Sequence, residues 1–328
     1  MSQTLILGTG SHLPAEILSN FDLEKMLDTS DQWIRERTGI RERRVAPKGM
    51  GASKISIPAV LQALDSAGLT AKDIDLIITT TITPDTMCPA AACWIQAEIG
   101  ADRASAFDLN AACTGFVYGL QAADAYIRSG LARNVLLVSV DIMTRVANWN
   151  DRNSAVLWGD GAGAVVLGPG EDGRRGVMYT RVYSDGRDGE LILIVGGGSR
   201  LTPITANDVE SQAHTLKMRG QETFKVAVRC LTDACIEALE KNNMTVDDID
   251  VFIPHQANIR IIEAVVKRLG LPMENVIITV HKYGNMSAAT IPIALDEWVR
   301  AGKIKRGDNL LIAAVGGGLT WGAALVEW

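Results

Sequence analysis

The chain has 328 residues, 47% hydrophobic and 21% charged, with 31 glycines and a mean hydropathy of +0.12. That balance excludes disorder, collagen and a long coiled coil, and the length suggests about two domain-sized units. Lys plus Arg total 32 against 38 Asp plus Glu, a formal net charge of −6 that argues against general nucleic-acid or anionic-membrane binding but permits a local basic face.

The short apolar start Leu5-Ile6-Leu7 has no basic residue ahead of it, so no secretory leader is predicted and a cytoplasmic protein is expected. Ala63 to Ile78 reads as helix, turn and buried strand. The strand-like Ala106-Phe107 leads to Cys113, after which Phe116, Val117, Leu120, Ala123 and Ile127 recur at helical spacing and Gly130 offers a stop. Val135-Leu136-Leu137-Val138 reads as a buried strand, and Gly163-Ala164-Val165-Val166-Leu167 as a glycine turn with an apolar strand. The charged, glycine-rich stretch Gly168-Pro169-Gly170-Glu171-Asp172-Gly173 predicts a boundary between residues 1–172 and 173–328. Beyond it, Val276-Ile277-Ile278 reads as another strand. Leu310 to Val326, shorter than the about 20 apolar residues of a membrane span and centred on Gly316-Gly317-Gly318, predicts two strands joined by a turn.

Three segments of the first part return in order in the second. Ala63-Leu64-Asp65, Leu69-Thr70 and Lys72 to Ile78 recur 175 positions on as Ala238-Leu239-Glu240, Met244-Thr245 and Asp247 to Ile253. Ala122, Asp124, Arg128 and Gly130 recur 172 positions on as Ala294, Asp296, Arg300 and Gly302, and Gly163 to Leu167 matches Gly322 to Val326. The chain therefore reads as a duplication of one α/β unit, with helix-covered sheets and a pseudo-twofold axis beside the matched helices. At the offset of 172, Cys113 corresponds to Asn285.

Five cysteines, Cys88, Cys93, Cys113, Cys230 and Cys235, form no Cys-x-x-Cys pair, so neither a disulfide framework nor a zinc site is indicated. Cys113 stands at the start of an apolar helix, where the dipole and free N–H groups favour a thiolate and lower the thiol pKa; it is the candidate nucleophile. Cys93, Cys230 and Cys235 read as small buried residues within helices. Of four histidines, His255 follows an apolar strand and precedes a helix that Asn258 could cap, at the carboxyl end of a strand where open α/β sheets build their sites. Its counterpart is Thr80, so it is an asymmetric addition to a symmetric frame. His12 reads as a loop residue, and His214 and His281 as surface positions. Asn285 cannot titrate and would donate or orient. These residues fit either a Cys-His-Asn hydrolase or a condensing enzyme in which His and Asn stabilise an enolate.

Asn110-Ala111-Ala112-Cys113-Thr114-Gly115-Phe116, Pro254-His255-Gln256-Ala257-Asn258-Ile259-Arg260 and Gly284-Asn285-Met286-Ser287-Ala288-Ala289 resemble the three active-site blocks of the β-ketoacyl-acyl-carrier-protein synthase III family, in the thiolase superfamily. The resemblance runs on through Ser30 to Ile34, Arg37 to Arg41, Gly159 to Ala164 and Gly316 to Gly322. It implies a five-layered αβαβα thiolase-like fold of two pseudo-twofold halves, a homodimer, no cofactor beyond coenzyme A as substrate thioester, and initiation of type II fatty-acid synthesis. Cys113 would take an acyl group from acyl-CoA, with the N–H groups of Cys113 and Gly318 as oxyanion hole. His255 and Asn285 would then stabilise the enolate formed as malonyl-acyl-carrier protein loses carbon dioxide. Trp33 and Arg152 resemble the pair that sandwiches the CoA adenine, with Thr29 and Arg37 nearby. Lys225, Arg260, Lys267 and Arg268 resemble the family's basic face for the acidic carrier protein. The triad separates this family from elongating synthases, which use Cys-His-His, and thiolases, which use Cys-His-Cys.

Cys88 stands where some relatives place a phenylalanine that closes the acyl pocket across the dimer, and a smaller side chain there would admit a longer or branched primer. Ile142 to Trp149 and Gly196 to Arg200 also diverge. A superfamily acyltransferase of secondary metabolism would share the triad. A non-catalytic scaffold partner would not need all three residues, and a Cys-His-Asn amidase or peptidase fits the duplication less well.

Overall fold

The computed structural model describes residues 3–170, 173 and 175–328. The repeated sequence builds the same local structure twice. Thr70 and Thr245 open the one-turn helices Ala71–Asp73 and Val246–Asp248 through reciprocal capping boxes with Asp73 and Asp248. Asp75 and Asp250 then accept the backbone N–H groups of Asn134 and Asn309, whose side chains donate to the carbonyls of Asp73 and Asp248. Each set fixes where a buried strand enters its sheet.

The first sheet contains β1 (Gln3–His12), β2 (Leu76–Thr80), β3 (Ser105–Leu109), β4 (Val135–Ile142) and β5 (Asp160–Gly170), in the spatial order β1-β5-β4-β2-β3. The second contains β6 (Val177–Ser184), β7 (Val251–Pro254), β8 (Asn309–Gly316) and β9 (Thr320–Glu327), in the order β6-β9-β8-β7. Strand senses match: β4 with β2 and β8 with β7 are parallel, and the remaining pairs on the other side of β4 and of β8 are antiparallel. Leu310 to Val326 is thus a buried hairpin, and among the described residues no helix is long and apolar enough to cross a membrane. The expected boundary falls partly on Glu171 and Asp172, which lie outside the described residues.

The principal helices are α1 (Asp31–Thr38), α2 (Ala52–Ala67), α3 (Ala91–Ile99), α4 (Gly115–Arg128), α5 (Gly220–Lys241), α6 (Ile259–Leu269) and α7 (Thr290–Arg300). α2 and α3 share a core with the outer face of the first sheet, and α5 and α6 with that of the second. α4 and α7 lie between the sheets in a core drawn from both halves, completing five αβαβα layers.

Two expectations are corrected here. Ala112 and Ser287, at φ 47° and 51°, occupy equivalent places ahead of α4 and α7, so the offset of 175 persists through both turns. It changes to 172 only inside the helices, of 14 and 11 residues, where the pairs Asp124–Arg128 and Asp296–Arg300 match. Cys113 is therefore the counterpart of Ala288, and Asn285 of Asn110, because the deletion lies after these positions. Val276 to Ile278, expected as a strand, makes only one parallel bridge, Val276 to Phe252, in the place that β3 holds in the first sheet. The Ile277 carbonyl is taken instead by the Gln256 side chain at 3.0 Å.

Candidate active site

Cys113, His255 and Asn285 line one apolar cavity of about 70 Å³, together with Leu157, Met218 and Leu319. Cys113 lies in the turn Ala112–Thr114 that enters α4, directly after Ala112, whose left-handed backbone costs about 1–3 kcal/mol in a non-glycine residue. The end of β8 abuts the nucleophile so closely that a Cβ on Gly316 would stand 2.7 Å from the Cys113 nitrogen. Gly316 lines the cavity, whereas Gly318, the family-implied oxyanion donor, is exposed at the far end of the turn. Burial first, and the charge of Asp141 besides, push the Cys113 thiol up to about 12, against the dipole-based expectation of a lowered pKa. Burial of this kind favours the thiol form of the nucleophile.

His255 follows β7, and its N–H donates to the Ala313 carbonyl at 2.8 Å. Its Nδ1 lies 2.7 Å from the Thr290 hydroxyl, and Nε2 is buried without a partner among the described residues. Burial lowers its pKa to about 3, so the ring is neutral at ordinary pH. Thr80, its counterpart at the end of β2, merely donates to the Ser139 hydroxyl. Asn285 is held through its backbone to Leu157 and Gly159, after Gly284 at φ 67°, where a Cβ would stand 2.8 Å from the Leu157 carbonyl. Its Oδ1 accepts the Ser287 N–H at 2.8 Å, which leaves Nδ2 as the donor available to the cavity.

Two buried groups that join these pieces carry no signal as isolated residues in the sequence. Gln256 donates to the carbonyls of Pro254 and Ile277 and accepts the N–H groups of Thr279 and Val280, at 2.8 to 3.1 Å, tying the histidine segment to the approach to Asn285. Gln256→Leu strands four buried backbone groups and is expected to cost at least about 3 kcal/mol, read as a lower Tm and urea midpoint. Asp141, at the end of β4, accepts from Ile82 N–H, Thr81 and Thr83 in the first half and from Ala288 N–H in the second, and burial pushes its carboxyl up to about 6.

The outer residues also come together. The Ser30 hydroxyl accepts the Trp33 N–H at the start of α1, and the guanidinium carbons of Arg37 and Arg152 lie 5.0 and 5.3 Å from the Trp33 ring centroid. Arg152 also donates to Asp28, and the Thr29 hydroxyl is buried without a partner among the described residues. Lys225, Arg260, Lys267 and Arg268 are exposed on α5 and α6, with Arg260 over the Phe224 ring. Arg260 sits among the cavity-lining Ala257, Asn258 and Ile261, and Asn258 caps α6 as expected. Cys88 and Cys93 are exposed, so Cys93 departs from its expected burial, and His214 and His281 are half-buried rather than on the surface. Among the described residues, no group of three His, Cys, Asp or Glu side chains is placed to hold a metal.

The five layers, with a buried cysteine at the start of a central helix and a His-Asn pair from the other half, define a thiolase-fold condensing enzyme. The family models described as 3-oxoacyl-[acyl-carrier-protein] synthase III and its C-terminal region match residues 107–186 and 239–328. A β-ketoacyl-[acyl-carrier-protein] synthase III of Clostridioides difficile (strain 630) is 49% identical over 323 residues, covering 98% of each chain. The crystal structure of 3-oxoacyl-[acyl-carrier-protein] synthase III from Aquifex aeolicus VF5 superposes with a TM-score of 0.92 at 44% identity, over 99% of this chain and all of that one. The priming β-ketosynthase of the R1128 polyketide pathway gives the same TM-score at 35% identity, over 99% of this chain and 96% of that one. The chain belongs to the β-ketoacyl-[acyl-carrier-protein] synthase III family.

Proposed function

We propose that this enzyme joins an acyl-CoA primer to malonyl-acyl-carrier protein by decarboxylative Claisen condensation, opening type II fatty-acid synthesis. The observation that carries this reading is the convergence of a thiol, a neutral imidazole and a carboxamide on one largely apolar cavity. Cys113 sulfur attacks the acyl-CoA carbonyl, the carbon–sulfur bond to CoA breaks, and CoA leaves as its thiol with the proton Cys113 gave up. In this reading the Cys113 N–H and an N–H of the Gly316–Gly318 turn serve the developing oxyanion; Gly316 lines the cavity, whereas Gly318, the donor implied by resemblance, is exposed and does not line it. In the second half-reaction the malonyl C–C bond to the carboxylate breaks, carbon dioxide leaves, and the bonding electron pair becomes an enolate, stabilised by His255 and Asn285. The enolate carbon attacks the acyl-Cys113 carbonyl, the carbon–sulfur bond to Cys113 breaks, and the released thiolate takes a proton from solvent. Neutral donors suit this step, because they favour negative charge only as it forms.

Trp33, Arg37, Arg152 and Thr29 form the CoA nucleotide site in this reading, and Lys225, Arg260, Lys267 and Arg268 the carrier-protein face beside the same mouth. Trp33→Ala is expected to raise KM for acyl-CoA about tenfold with kcat within about threefold, in initial-rate assays, since stacking on the nucleotide is the same in ground and transition states. A homodimer belongs to the reading: β3 is an open sheet edge beside α3, whose Trp94 and the nearby Met87 are 45% and 86% exposed, and apolar edges of this kind are normally covered. Cys88 lies outside the catalytic cavity of its own chain, so its effect on primer size would come across the dimer. Intact-mass tracking with a panel of acyl-CoAs, followed by malonyl-carrier protein, tests the whole. An acyl adduct on Cys113 that turns into a β-ketoacyl-carrier product is expected, and no adduct with any primer would overturn the reading.

A further inference from the structure

The catalytic histidine is neutral and carries one ring proton, so the nitrogen that holds it decides whether the ring offers the cavity a donor or a lone pair. The only protein group on Nδ1 among the described residues is the Thr290 hydroxyl, 2.7 Å away. That hydroxyl has one proton and two acceptors in reach, His255 Nδ1 and, at 3.0 Å, the Ser287 carbonyl. The Ser287 carbonyl already accepts the backbone N–H of Thr290, which closes the turn Ser287–Ala289. The hydroxyl oxygen in turn already accepts the Gln256 N–H at 3.3 Å. Giving the proton to Nδ1 uses the shorter of the two contacts, leaves the Ser287 carbonyl its Thr290 N–H, and puts the ring proton on Nε2, which has no protein partner among the described residues and is free to donate into the cavity.

We infer that Thr290 is a positioning residue: its hydroxyl donates to His255 Nδ1 and so fixes the ring proton on Nε2, the nitrogen turned to the cavity. Asn285 is oriented by the same turn, since Ser287 N–H holds its Oδ1 and leaves Nδ2 as donor. One short segment, Ser287–Thr290, thus sets two N–H donors toward the same space. The first residue of α7 is thereby coupled to the chemistry without touching substrate. The inference rests on the proposed enolate-stabilising role of His255 for its consequence, but the proton position can be measured on its own.

The test begins with the unaltered protein, labelled with ¹⁵N-histidine, with the His255 signals assigned by their loss in His255→Ala. The expected result is a neutral ring with a one-bond proton coupling at Nε2; a coupling at Nδ1 overturns the inference whatever the variants do. Thr290→Val keeps the shape and removes the hydroxyl. It is expected to shift the proton toward Nδ1 and to slow malonyl-thioester decarboxylation about 10- to 100-fold, with acylation of Cys113 by acyl-CoA changed less than about threefold. Thr290→Ser is expected to restore both the Nε2 signature and decarboxylation to within about threefold. An unchanged tautomer and rate in Thr290→Val also overturns the inference. If the unaltered protein shows the Nε2 proton but decarboxylates no malonyl thioester, the proposed function fails and the tautomer assignment stands.

Discussion

Cys113→Ala is expected to abolish condensation, by about 10⁴-fold or more, and to leave no acyl adduct after incubation with any acyl-CoA. Nothing else in the cavity replaces it: Cys230 and Cys235 are buried on α5, and Cys88 and Cys93 are exposed elsewhere. The same variant should still decarboxylate malonyl-carrier protein, because His255 and Asn285 belong to the other half and are held by the Thr290 hydroxyl, the Ser287 backbone N–H and the Gln256 side chain rather than by the thiol. Retained condensation in Cys113→Ala, or loss of decarboxylation together with acylation, would contradict the assigned roles. High-performance separation of malonyl- and acetyl-carrier protein, with intact mass of the enzyme, reads both.

His255→Ala and Asn285→Ala are expected to give the opposite split, with decarboxylation falling about 10²- to 10³-fold and Cys113 still accepting an acyl group. The pH dependence follows from where each group titrates. His255 is depressed from 6.5 to about 3, so its ring stays neutral from about pH 8 to about pH 5 and should add no inflection to decarboxylation there. Asp141 is raised to about 6 and does titrate in that window. A step near pH 6 should therefore vanish in Asp141→Asn, and one that persists would show that His255 takes up a proton. The linkage signs also oppose. His255 has a folded pKa below its unfolded one, so its contribution to stability is present above pH 6.5 and is lost as pH falls toward 3. Asp141 has a folded pKa above its unfolded one, so its contribution is fullest below pH 3.8 and is lost as pH rises through about 6.

Much of this was legible in the chain. The apolar runs at Leu76, Val135, Val251 and Leu310 are strands because a strand covered on both faces needs continuous apolar residues. The duplication was visible because the two halves keep the same turn chemistry, Thr-x-x-Asp and then Asp to Asn, at a constant spacing. Where local patterns compete with tertiary ones, the reading failed. Val276 to Ile278 has strand composition, yet its carbonyl at Ile277 is claimed by Gln256. The pairing of Cys113 with Asn285 came from a helix shortened after both residues, a place that no match on its far side could locate.

The sequence by itself determined the covalent inventory: one thiol at a helix start, one histidine after a strand, one asparagine beyond a glycine, and two copies of an α/β unit to carry them. Only the tertiary structure decided the protonation states on which the chemistry turns. Burial, a property of the packed whole, favours the thiol form of Cys113 and the neutral ring of His255, where local sequence had pointed to a helix dipole that favours the thiolate. Orientation was decided there too, because the partners that aim His255 and Asn285, from Thr290 and Ser287 to Gln256, acquire that role only when two sheets close on the turn that precedes a central helix.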